Sequence, residues 1–224
     1  MIRAVCLALC LPGAASAACR QALALGLDVS GSVDALEYRL QLDGLAAALR
    51  SQPVQDVLFM QPAAPISITV YEWSGPEDQS VILPWTAIDA PATLDAALAQ
   101  LQSHQRQPAA PTTAIGAALL AGFALLHQRP ECWRRTLDIS GDGRVNTGPR
   151  PQDISPAHMP EGAIVNGLVI DATKDTELAD YYRSYVMRGP GAFVETAQGF
   201  DDYAAAMERK LLRELQSIAI GSLQ

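Results

Sequence analysis

Asp28, Ser30 and Ser32 alternate in the segment Asp28-Val29-Ser30-Gly31-Ser32, where an apolar run gives way to polar residues. In a tight loop, alternate side chains can converge on one point, and oxygen-only donors suit a hard divalent cation such as Mg²⁺ or Mn²⁺. Two further oxygens belong with them. Thr113 heads an apolar helical stretch in Pro111-Thr112-Thr113-Ala114-Ile115-Gly116, and Asp142 follows an apolar run in Ile139-Ser140-Gly141-Asp142-Gly143. Thr112 is the neighbouring alternative to Thr113, while Asp138 lies earlier on its run, inside a strand, and is set aside as a ligand. Asp28 to Ser32 alone reads equally well as a helix cap, because Ser and Asp favour caps. The company of Thr113 and Asp142 shifts the reading to a cation site.

Catalytic chemistry is the main alternative, as an exported metal-dependent hydrolase or phosphatase with Asp28 reactive, and a structural domain whose ion only stiffens the loops is the third. Phosphatases of the haloacid-dehalogenase type need a second Asp two residues after the first, and Ser30 holds that position. A serine hydrolase elbow reads G-x-S-x-G, but Asp28 stands where its first Gly belongs. His104, His127 and His158 show no metal-ligand spacing with one another. They read as surface or packing residues, Trp73, Trp85 and Trp133 as core or edge residues, and Tyr181, Tyr182 and Tyr185 as a packed helix face. The expected catalytic set is empty.

The elements that must position the oxygens are legible as alternation of strand and helix. Residues 21–28 (QALALGLD), 66–73 (ISITVYEW), 134–140 (RRTLDIS) and 163–170 (AIVNGLVI) are short, apolar and β-forming, and 80–85 makes a hairpin partner after Gly75-Pro76. Helical spacing predicts helices over 34–50, opened by Asp34 with Glu37 three on, and over 92–103, 113–127 and 175–187. A short strand at 192–195 precedes a last helix near 200–218, with Phe200, Tyr203, Met207, Leu211, Leu215 and Ile218 on one face. This alternation predicts an α/β domain with a mostly parallel sheet. Ligands of such sheets collect outside the carboxyl ends of the strands, where Asp28–Ser32 and Gly141–Asn146 fall. The Pro-, Gly- and Asn-rich residues 144–161 read as a loop near that edge.

The motif D-x-S-x-S after a first strand, a Thr ahead of a helix and an Asp after a fourth strand resembles the metal-ion-dependent adhesion site of von Willebrand factor type A domains. The resemblance covers most of residues 21–218. ILPW, SGDG, NGL and GPGAFV make the chain similar to an exported bacterial subgroup of uncharacterised function. It implies a Rossmann-like sheet with helices on both faces. It also implies that Ser30 and Ser32 bind the cation through their hydroxyls and Thr113 directly or through water, while Asp28 and Asp142 hold coordinated waters. Two carboxylates then balance a divalent charge, and an open position remains for an Asp or Glu carboxylate of a protein partner.

The 224 residues are 49% hydrophobic and 18% charged, which excludes a disordered chain. The net charge of −8 makes nucleic acid a poor partner, since its binders normally carry a basic face. Residues 1–17 have the layout of a secretory signal: Arg3, an apolar run from Ala4 to Leu11, then Ala15-Ser16-Ala17. The run is too short for a membrane span, and Ser16 stands where lipoprotein signals usually carry Leu, which disfavours lipidation of Cys19. The expectation is a signal over 1–17, one domain over 18–224, a periplasmic or extracellular location and no integral membrane segment after cleavage. Cleavage removes Cys6 and Cys10, so an oxidising compartment predicts a Cys19–Cys132 disulfide, with two separate buried thiols as the alternative. In the strand order 3-2-1-4 implied by the resemblance, both cysteines reach the sheet edge opposite the metal loops. Arg144 and Arg150 are expected to make the metal edge locally less negative.

Overall fold

A computed structural model describes residues 18–173 and 176–221, with side chains through Gln216. The proposed signal, with Cys6 and Cys10, lies outside the described residues, as do Lys174, Asp175 and the side chain of Ile218. Strand β1 (Cys19–Asp28) leads through the Asp28–Ser32 loop into α1 (Ala35–Arg50) and α2 (Gln52–Leu58). β2 (Ile66–Trp73) and β3 (Gln79–Ile88) form the expected hairpin, followed by α3 (Pro91–Ser103) and α4 (Ile115–His127). β4 (Cys132–Gly141), β5 (Ile164–Ile170), α5 (Glu177–Tyr181), β6 (Val194–Ala197) and α6 (Tyr203–Gly221) complete the order.

The sheet runs β3-β2-β1-β4-β5-β6. Every pair is parallel except β2 with β3. The fold is therefore α/β, Rossmann-like, with helices on both faces. Alternation along β1 assigns the faces: Leu23, Leu25 and Leu27 pack with α1, α2, α3 and α6, whereas Ala22 and Ala24 pack with α4 and the turn after α5. Each fully buried Leu or Phe side chain on these faces contributes about 1.5–3 kcal/mol.

Local chemistry sets the start of α1. Asp34 Oδ1 accepts from Leu36 N at 2.7 Å and Glu37 N at 2.9 Å, and Glu37 Oε2 accepts from Asp34 N at 2.8 Å. This capping box holds the helix immediately behind the Asp28–Ser32 loop. Helix α2 has no counterpart in the sequence reading. Its Pro53 resembles a breaker, yet a Pro in the first turn surrenders only an N–H that has no helical partner.

Three expectations are revised. The helix expected over 175–187 is split into α5 and a wider π-type turn, Tyr182–Val186. Trp133 is 61% exposed rather than packed. Residues 144–161 lie near the functional edge only at their start. Parallel β4 and β5 force this connection to run from the carboxyl end of one strand to the amino end of the next, and it does so through two short 3₁₀ turns, Pro151–Asp153 and Pro156–His158.

At the amino end of the sheet Cys19 pairs in register with Cys132, and their sulfurs are bonded. Both residues are buried. Among the described residues no helix is long and apolar enough to cross a membrane.

Candidate metal centre

Three loops meet at the carboxyl end of the central strands. The first leaves β1 at Asp28, the second carries Thr113 into α4, and the third leaves β4 at Gly141. Ser32 Oγ donates to Asp142 Oδ1 at 2.7 Å and lies 3.2 Å from Ser30 Oγ. Three of the five expected ligands therefore form a continuous chain of oxygens across two loops. Asp28 lies beneath them, fully buried, with Oδ1 accepting from Ser30 N at 2.8 Å. Its Oδ2 has no hydrogen-bond partner among the described residues.

The second loop is tied to both others. Gly31 N donates to Pro111 O at 3.1 Å, and Asn146 N donates to Thr113 O at 3.0 Å. In return Thr113 N donates to Asn146 Oδ1 at 2.8 Å. Thr113 is buried at this edge, and Thr112 is half-buried beside Gly75. Asn146 thus joins the Thr113 loop to the Asp142 loop, a role that its sequence position does not announce.

Arg106 is a second residue that sequence reasoning missed. From the Pro-rich segment between α3 and α4, its Nη1 donates to Val33 O at 2.6 Å. Its Nη2 donates to Val29 O at 2.6 Å and to Ser30 O at 3.1 Å. The guanidinium sits 5.7 Å from the Tyr38 ring centroid, and Tyr38 in turn donates to the buried Glu72 at 2.5 Å. One planar cation therefore holds three carbonyls of the Asp28–Ser32 loop and its exit. Arg106→Ala is expected to lower stability by about 1–3 kcal/mol. Arg106→Lys should recover less than half of that loss in chemical denaturation, since an ammonium cannot span the three acceptors.

Burial pushes the Asp28 carboxyl up to about 7. The Ser30 hydrogen bonds oppose this, Asp142 adds to it, and the Arg106 charge draws it down. A buried carboxylate with one orphaned oxygen, below two hydroxyls and a second carboxylate, fits a hard divalent cation. Among the described residues no group of three His, Cys, Asp or Glu is placed to hold a metal.

Other residues lie elsewhere. His104 Nε2 is 3.4 Å from Glu72 Oε1, and His127 Nε2 is 3.2 Å from His158 O. Asp138 is buried on β4 and paired with Lys210 of α6. The expectation for Arg144 and Arg150 is corrected: Arg144 pairs with Glu177 at 3.0 Å and Arg150 with Asp153 at 2.7 Å. Each guanidinium is neutralised locally and adds little positive field to the metal edge.

Comparisons with known proteins agree with this architecture. Residues 18–219 match the family described as "Protein of unknown function (DUF1194)". No curated protein matches the sequence. Among solved structures, proximal thread matrix protein 1 from the mussel byssus is 16% identical with a TM-score of 0.64, over 89% of this chain and 49% of that one. Another structure of that protein is described as having a zinc-occupied MIDAS motif. The von Willebrand factor domain of the type V pili tip protein Mfa5 from Porphyromonas gingivalis is 9% identical, TM-score 0.61, over 92% and 97% of the two chains. A von Willebrand factor type A protein from Catenulispora acidiphila is 12% identical, TM-score 0.54, over 89% and 43%. The chain spans about half of the mussel protein's length. At these identities the likeness shows the fold alone, and that fold is the von Willebrand factor A fold.

Proposed function

Given that the chain belongs to the DUF1194 family, we propose that it is an exported adhesion-type domain that binds Mg²⁺ or Mn²⁺ and engages an Asp or Glu carboxylate of a protein partner. The observation that carries this reading is the hydrogen-bonded row Ser30–Ser32–Asp142 above the orphaned oxygen of Asp28. Ser30, Ser32 and Thr113 would hold the cation through hydroxyls, and Asp28 and Asp142 would hold its waters. When bound, the cation supplies an electrophilic position that a partner carboxylate can fill. The zinc-occupied motif of the mussel protein supports the reading by analogy of fold. Export is supported by the signal-like residues 1–17 together with the Cys19–Cys132 bond.

The test is a calorimetric Mg²⁺ titration of the protein from Ala18 onward. Wild type is expected to bind at millimolar concentration or below, and Asp28→Ala and Ser30→Ala to lose binding. A wild type that takes no cation would sink the reading. Affinity should also fall as pH drops through about 7, because Asp28 must give up a proton to serve. The sign for stability follows from the same shift. A carboxyl raised in the fold contributes stability that is complete below its unfolded value and is lost as pH rises towards 7. Stabilisation by added Mg²⁺ should therefore be larger at pH 8 than at pH 5. Capture of a partner from periplasmic extract that disappears with chelator supports adhesion. Capture that persists while only the melting temperature falls would assign the ion a stabilising role.

A further inference from the structure

Two buried oxygens beside the candidate cation loops have no hydrogen-bond partner among the described residues, and both approach one point next to Gly141. Tyr182 opens the turn after α5, and its ring is fully buried. Its hydroxyl, like Asp28 Oδ2, makes no hydrogen bond among the described residues. The position that a Cβ would take on Gly141 lies 2.5 Å from the Tyr182 hydroxyl oxygen and 3.1 Å from Asp28 Oδ2. The two oxygens are therefore no farther apart than the sum of these distances, which is the reach of one water making two hydrogen bonds of about 2.8 Å. Trp73 closes the same space, with Cζ2 at 3.4 Å from that position. The ring itself is admitted by a second glycine, since a Cβ on Gly167 would lie 2.9 Å from Tyr182 Cδ1.

Buried polar groups are almost always paired, by protein or by ordered water. A phenol between two glycines is an expensive way to fill a core with carbon, because Phe would fill it with no polar atom to satisfy. Burial and the nearby Asp28 and Asp142 charges hold the Tyr182 hydroxyl well above its ordinary value. It therefore stays an O–H donor. A donor there can serve an acceptor, and among the described residues Asp28 Oδ2 lies across the space without a partner.

We propose that Tyr182 is a positioning residue of the cation site, its hydroxyl donating through one bridging water to Asp28 Oδ2 and so fixing the carboxylate beneath Ser30 and Ser32. Gly141 has no Cβ to crowd the two oxygens. This rests on the cation-site reading above. It adds a residue from a helix far along the chain that contributes no direct ligand.

Tyr182→Phe tests it, because the ring packing is kept and one oxygen is removed. Mg²⁺ affinity is expected to weaken about three- to tenfold, the worth of one hydrogen bond. The metal-free melting temperature should stay level, since the ring packing is kept and the water can remain on Asp28 Oδ2. A tyrosine near-ultraviolet difference signal on Mg²⁺ addition should be present in wild type and lost in the variant. Tyr71→Phe is the control: that hydroxyl donates to Ala118 O at 2.8 Å, away from the site. It should lower the melting temperature and leave Mg²⁺ affinity unchanged. Equal Mg²⁺ affinity in wild type and Tyr182→Phe overturns the proposal and leaves the site standing. A loss of affinity matched by a lower metal-free melting temperature also overturns it, in favour of packing. A wild type that binds no Mg²⁺ removes both readings together.

Discussion

Lys210→Met is expected to destabilise the domain by about 3–5 kcal/mol near pH 8, because it strips the cation from two buried carboxylates. The Lys210 side chain is 0% exposed, with Nζ 2.5 Å from Asp138 Oδ2 and 2.6 Å from Glu214 Oε1. Asn166 Nδ2 donates to the same Glu214 oxygen at 2.7 Å, and Asn166 Oδ1 accepts from Phe193 N at 3.0 Å. The cluster therefore pins α6 to β4, β5 and the segment entering β6. Burial alone would lower the Lys210 ammonium, but Asp138 and Glu214 more than offset this and hold it above its ordinary value. Asp138 is pushed up by burial, against the pull of Lys210 and with the push of Glu214.

Without the ammonium the Asp138 carboxyl should rise further, which gives the variant a signed pH dependence. A carboxyl raised in the fold loses its contribution to stability as pH climbs from the unfolded value towards the folded one. The deficit of Lys210→Met should thus be smaller at pH 5, where Asp138 can protonate, and larger at pH 8. Urea denaturation at the two values reads it. Adding Asp138→Asn to Lys210→Met should restore part of the loss at pH 8, the non-additivity expected of touching residues. A deficit of equal size at both values, or none, would show that the three charges are not coupled as placed.

Replacing Cys19 and Cys132 together by Ala is expected to lower stability by about 2–5 kcal/mol. The bond joins residues 113 apart in sequence, and loop-closure entropy grows with that separation, so the upper half of the range is expected. The bond lies at the amino end of β1 and β4, whereas Asp28 and Asp142 follow their carboxyl ends. Mg²⁺ affinity should therefore stay within about twofold while the melting temperature falls, additivity being the rule for distant sites. Alkylation of the unreduced, denatured protein should label neither cysteine; two labelled thiols would contradict the bond.

The sequence by itself determined what rests on short-range chemistry. Apolar runs of strand length, the Asp34–Glu37 box and the helical stripe Phe200, Tyr203, Met207, Leu211 and Leu215 each carry their signal within a few residues. These are enough for an α/β order with a parallel sheet. Asp28, Ser30, Ser32, Thr113 and Asp142 could be nominated as a candidate cation site for a similar reason, since oxygen donors in turns after apolar runs state their chemistry locally. Tertiary structure alone decided the rest. Arg106 serves backbone carbonyls, which every residue has and no sequence advertises. Lys210 and Asp138 look like ordinary surface and strand residues until α6 docks and removes their water. Arg144 and Arg150 were expected to make the edge locally less negative, but they pair with Glu177 and Asp153, and a count of charges is blind to such pairing. Tyr182 and Gly141 acquire a meaning only together, when folding removes both the phenol and Asp28 from water and leaves the phenol hydroxyl and Asp28 Oδ2 without a partner among the described residues. Local propensity names the groups, but desolvation and direction, which are properties of the packed chain, decide which groups must answer one another.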